Sequence, residues 1–145
     1  MQGQANHFLR AAPERLAYPI QRYVGEVERL YGILDKRLAG RDYVAGEGKG
    51  RYSIADISLV GWVNGSRFAG IDLPGQFPNV AGWLERVLAR PAVQKGLTVP
   101  GGSVSRFSNG SLKEGGGEEG RKMVEEGDRV IKEAKEKYGY KYSSP

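Results

Sequence analysis

The sequence predicts an all-α protein, and three observations carry that expectation. Apolar residues recur at three- and four-residue steps from Ile20 to Leu38, which marks one face of a helix. A serine followed three residues later by an aspartate, Ser53 and Asp56, opens an apolar run, the pattern of a capped helix start. No pair of alternating apolar and polar segments reads as a β-hairpin.

Residues 1–17 lack a sustained periodic pattern. From Tyr18-Pro19 onward, Ile20, Tyr23, Val24, Val27, Leu30, Tyr31, Leu34 and Leu38 predict one long amphipathic helix. Pro19 suits its first turn, where a missing N–H is no loss, and Gly40 suits its stop. Gly25 and Gly32 each cost about 1 kcal/mol relative to Ala in a helix. Residues 41–52 form a connector rich in glycine and charge. Ser53 and Asp56 then cap a helix reciprocally, hydroxyl to the Asp56 N–H and carboxylate to the Ser53 N–H. The run from Ile57 to Val63 is apolar nearly all round, which predicts a central, buried helix with Trp62 in the core. Phe77-Pro78-Asn79-Val80, with Trp83, Leu84, Val87 and Leu88, predicts a short amphipathic helix, and Pro91 opens a further turn. Residues 101–120 hold seven Gly and four Ser and read as a linker. The expected organisation is a helical domain over 1–100, a linker over 101–120 and a helical extension over 121–145, the last packed loosely on the domain.

Composition narrows the function. The absence of Cys excludes disulfides, thiolate nucleophiles and cysteine-held metal centres, and a single His, His7, excludes a multi-histidine metal site. No stretch approaches the ~20 apolar residues that a membrane span needs. The formal charge of +5 raises nucleic-acid binding. Yet residues 1–100 carry 13 basic and 9 acidic side chains and 101–145 carry 9 and 8, with no basic stripe, so nucleic acid is not the expected partner.

Two strings of residues resemble a known family. Ser53-Ile54-Ala55-Asp56-Ile57, followed by Phe77-Pro78-Asn79-Val80-Ala81-Gly82-Trp83, Arg86 and Arg90-Pro91-Ala92, is similar to the helical C-terminal domain of cytosolic glutathione S-transferases. Gly3-Gln4, His7-Phe8, Ala11-Ala12-Pro13, Ile20-Gln21-Arg22-Tyr23 and Arg29-Leu30-Tyr31 resemble the branch that holds bacterial Nu-class disulfide-bond reductases and fungal nitrogen-regulation-type proteins. The resemblance spans residues 1 to about 100. It implies a helical bundle lacking most of its first helix, without the thioredoxin-like domain that binds glutathione and activates its sulfur.

The resemblance also implies roles for particular residues. Arg22 matches the arginine that reaches bound glutathione or its disulfide, as a guanidinium pairing with a carboxylate. On sequence alone, an i,i+4 surface pair with Glu26 one turn on is the favoured reading. Gln4, Asn6, His7 and Phe8 fall near the family's entrance to the hydrophobic-substrate pocket, where ordinary turn and packing roles are the other reading. Ser53 and Asp56 are structural caps. No residue is assigned to catalysis and none to a metal. The expected function is that of the electrophile-pocket and dimerisation domain of a cytoplasmic glutathione S-transferase-like protein. The full-length form would use glutathione as co-substrate, with electrophiles or disulfides as partners; the chain alone would be inactive and would form a homodimer or higher species. The alternative is a non-catalytic interaction module built on the same helical domain.

Overall fold

The apolar stripe that begins at Ile20 becomes the spine of the molecule. The computed structural model describes residues 1–99 and 117–138. Its helices are α1 (Gln2–Asn6), α2 (Ala17–Leu38), α3 (Ile54–Asn64), α4 (Leu73–Gln76), α5 (Pro78–Leu88), α6 (Pro91–Leu97) and α7 (Gly117–Tyr138). No strand forms among the described residues; one isolated antiparallel bridge joins Ala45 to Arg51. The class is all-α.

Helix α2 buries Ile20, Val24, Val27, Tyr31 and Leu38. Lys36 and Arg37 stand in its last turn, where cations complement the helix dipole. Gly40, at φ +69°, takes the left-handed conformation that ends it. Ahead of α2, residues without a readable pattern prove helical. Helix α1 continues into a wider π-type turn over His7–Ala11, closed by the Ala12 N–H donating to the His7 carbonyl. Ala5 and Leu9, four residues apart, are its buried positions; two anchors are too few to register as a period.

Helix α3 is held at its start by the reciprocal cap. The Ser53 hydroxyl accepts from the Ala55 N–H at 3.3 Å, and Asp56 accepts from the Ser53 N–H at 2.9 Å. The same buried carboxylate accepts from the Trp83 indole N–H at 2.8 Å and from the Val44 N–H at 3.1 Å. It therefore ties α3 to α5 and to the 41–52 connector. Beyond that cap the expectation of a buried helix fails. Ile54 is 82 % exposed and Ile57 and Trp62 are each 56 % exposed, because no described segment lies against that side of α3. Trp83, by contrast, is fully buried.

Helix α5 packs Val80, Trp83, Leu84 and Val87 into the core. Its first turn is capped by a residue of another helix: Asp35 accepts from the Asn79 and Val80 N–H groups and from the Asn79 side-chain amide. Such a carboxylate satisfies free donors and offsets the positive end of the helix.

Helix α7 lies against α2 more intimately than a loosely packed tail. Ile131 and Ala134 are buried, and Arg67 forms a two-pronged pair with Asp128 at 3.0 and 2.6 Å. Lys135 pairs with the buried Glu28, and Arg15 with Glu126. Arg10 donates to the carbonyls of Phe68 and Met123, and burial lowers its pKa from the usual guanidinium value. The ion pairs that hold α7 run to α2 and its neighbours rather than along α7, so its own charge spacing understated them. The expected linker falls mostly outside the described residues, and its last four, Gly117 to Gly120, belong to α7.

Candidate functional site

Between α2 and α3, beside the start of α1, lies an open groove of about 350 Å³. Val27, Leu30, Tyr31 and Leu34 of α2 form one wall, Leu59, Trp62 and Val63 of α3 the other, and Met1 and Gln2 close one end. Polar contacts knit that end. The Tyr31 hydroxyl donates to Gln2 Oε1 at 2.9 Å, and Gln2 Nε2 donates to the Trp62 carbonyl at 2.8 Å. Burial pushes the ionisation of Tyr31 far above the ordinary tyrosine range, so its hydroxyl stays protonated. None of the lining side chains is a carboxylate, imidazole or amine. The groove is built to take apolar surface.

The sequence-derived candidates lie elsewhere. Phe8 stacks on Tyr23 with ring centroids 5.4 Å apart and planes 9° from parallel, and the His7 ring meets Phe8 edge-on at 5.1 Å. His7 and Gln4 are exposed, and Asn6 is half-buried with its Oδ1 shielded from solvent and without a hydrogen-bond partner. Arg22 extends towards Glu26 at 3.9 Å with 55 % of its side chain exposed. Arg29 makes the tighter contact with that carboxylate, at 2.7 and 2.9 Å, and these hydrogen bonds lower the Glu26 pKa. The structure thus joins Phe8 to His7 and Tyr23. No hydrogen bond, ion pair or ring contact among the described residues joins Arg22 to Gln4, Asn6, His7 or Phe8.

Comparison with known proteins settles the family. The model of the glutathione S-transferase C-terminal domain matches residues 7–91. The chain belongs to the glutathione S-transferase family. Its relatives include the disulfide-bond oxidoreductase YfcG of Escherichia coli, 44% identical over 97 residues that cover 67% of this chain and 43% of YfcG. Among solved structures, Ure2p in complex with glutathione superposes with a TM-score of 0.61 at 33% identity, covering 66% of this chain and 47% of that one. A glutathione transferase from Burkholderia graminis, with two glutathione molecules bound per subunit, gives a TM-score of 0.59 at 36% identity and covers 69% and 43%. The chain spans less than half the length of these relatives.

For a transferase C-terminal domain, the groove is what reading residue by residue missed. Leu30 sits in the predicted α2 stripe but is 42 % exposed, and Ile33 beside it is 45 % exposed. The available signal was an apolar stripe wider than one packing partner fills, combined with an α3 apolar on every side.

Proposed function

We propose that this chain is the C-terminal part of a cytoplasmic, dimeric glutathione S-transferase-like protein. The full-length form conjugates glutathione to hydrophobic electrophiles or reduces glutathione-linked disulfides. One observation carries the reading: an apolar α2–α3 face lies bare in a chain that matches the C-terminal domain of its family. A continuous apolar surface of that kind is what an adjoining domain or subunit covers. In the groove the Tyr31 hydroxyl donates to Gln2 and the Gln2 amide to the Trp62 carbonyl, so neither is aimed at a thiol and the chain alone is expected to be inactive. Arg22 supports the glutathione reading. Because Arg29 satisfies Glu26, most of the Arg22 donors remain open to a ligand carboxylate. His7, Phe8 and Tyr23 supply an aromatic surface on the neighbouring segment, with Gln4 and Asn6 as polar contacts.

The test is a chimera that places the part of YfcG preceding its matched region ahead of this chain. Turnover is followed with a small disulfide: two glutathione thiols are oxidised to one disulfide while the substrate disulfide is reduced to two thiols. The chimera is expected to turn over, the 145-residue chain is not, and Arg22→Ala is expected to lower kcat/KM about tenfold, ~1.4 kcal/mol. Activity in the chain alone overturns the reading. A folded chimera that neither binds glutathione nor turns over any disulfide or electrophile also overturns it, and favours a non-catalytic interaction module.

A further inference from the structure

We propose that the connector between α2 and α3 is a preformed docking surface for an acidic peptide segment of a partner protein. The loop is held in one shape. Gly46, Gly48 and Gly50 adopt φ of +91°, +54° and +83°, and a Cβ on Gly50 would overlap the carbonyls of Tyr43 and Ala45. Asp42 and Tyr43 N–H groups donate to the Lys49 carbonyl, and Arg51 N–H donates to Ala45. The Arg41 guanidinium reaches across the loop to the carbonyls of Gly46 and Gly48, both at 2.6 Å, and to that of Tyr43 at 3.3 Å. Arg37, at the end of α2, donates to the Val44 carbonyl at 2.9 Å.

These bonds have an electrostatic consequence. A carbonyl satisfies a guanidinium donor without supplying an opposite charge, so the positive field of Arg37 and Arg41 remains. Arg51 packs beside Gly46, and neither its exposed side chain nor that of Lys49 pairs with a carboxylate among the described residues. Arg86 adds a fifth cation, donating to the Asp42 carbonyl and lying 3.6 Å from its carboxylate. Against these five cations stand Asp42 and Glu47 within the connector and the buried Asp56, which accepts from the Val44 N–H. A rigid loop with surplus charge binds without an ordering cost, and clustered cations steer an oppositely charged partner.

The geometry favours a peptide over a nucleic acid. Tyr43 and Tyr52 pack edge-to-face at 5.6 Å, and the Arg90 guanidinium covers the Tyr52 ring at 3.8 Å, so Tyr52 is not an open platform for bases. Asp42 and Glu47 interrupt the cations, which repels a continuous phosphate chain but suits spaced Asp and Glu side chains.

The experiment measures fluorescence anisotropy of the full chain with a labelled peptide of alternating Glu and Ser, from about 20 to about 300 mM salt. The double variant Lys49→Gln/Arg51→Gln is expected to weaken binding about tenfold at low salt. Lys122→Gln/Lys132→Gln, which removes the same charge from α7, is expected to change it less than about twofold. Equal losses in the two variants would show a diffuse charge effect and overturn the proposal. So would tighter binding of labelled oligothymidylate than of the peptide, or no peptide binding at low salt.

Discussion

Asp56 ties α3, α5 and the 41–52 connector together through one buried carboxylate, so its removal has a calculable cost. Its Oδ1 receives the Trp83 indole N–H and the Val44 N–H, and its Oδ2 receives the Ser53 N–H and hydroxyl. Asp56 and Trp83 are both fully buried. Asp56→Ala strands the indole donor without water, at about 1–3 kcal/mol, and removes the return arm of the α3 cap, at about 1 kcal/mol. With the Val44 contact added, a loss of about 4 kcal/mol is expected, a large share of the 5–15 kcal/mol typical of a domain. Asp56→Asn keeps the shape but not the acceptors. Whichever way the amide turns, its NH₂ faces a backbone or indole donor, and a loss of about 2 kcal/mol is expected. Urea unfolding followed by far-ultraviolet circular dichroism measures both. A double-mutant cycle with Trp83→Phe should return a coupling of about 1.5–3 kcal/mol for the charged hydrogen bond. An Asp56→Asn variant within about 0.5 kcal/mol of wild type, or a nil coupling, would refute this role for Asp56.

Two further perturbations test the packing around α2 and α7. Tyr31 ionises near pH ~10 in the unfolded chain but well above that when folded. Its contribution to stability is therefore complete below pH ~10 and is lost as pH rises through the folded value. Urea midpoints at neutral and strongly alkaline pH should show a steeper alkaline loss in wild type than in Tyr31→Phe; equal slopes would refute the burial argument. Gly70, at φ +79°, faces Ile131 so closely that a Cβ would overlap the Ile131 Cδ1 atom. Gly70→Ala should cost about 1–3 kcal/mol and speed amide exchange in α7 more than in α5. Gly61→Ala, in a helix and with nothing within 4 Å, should instead stabilise by about 0.5–1 kcal/mol.

Helices α2, α3 and α5 were legible because each carries a local rule. The stripe from Ile20 to Leu38 has a period, Ser53 and Asp56 form a cap within four residues, and Pro78 and Pro91 stand at first helical positions. The segment over His7–Ala11 was illegible because its π turn breaks the helical period that would reveal it. Helix α7 was visible as a stripe, but its partners were not. Glu28, Arg67, Arg10 and Arg15 lie far away in sequence, and no local spacing links them to it. Of the candidate site residues, Phe8 and His7 acquired neighbours that spacing could not supply, since the stack with Tyr23 depends on how α1 meets α2.

By itself, the sequence determined the class, the helix starts and stops, and the family strings, because capping, periodicity and proline geometry act over a few residues. The tertiary structure decided exposure. Trp62 and Trp83 are both tryptophans in apolar helices, yet one is 56 % exposed and the other fully buried. Burial belongs to the space between helices rather than to any one helix. In the same way, only the folded connector shows that Arg41 spends its donors on carbonyls and keeps its charge.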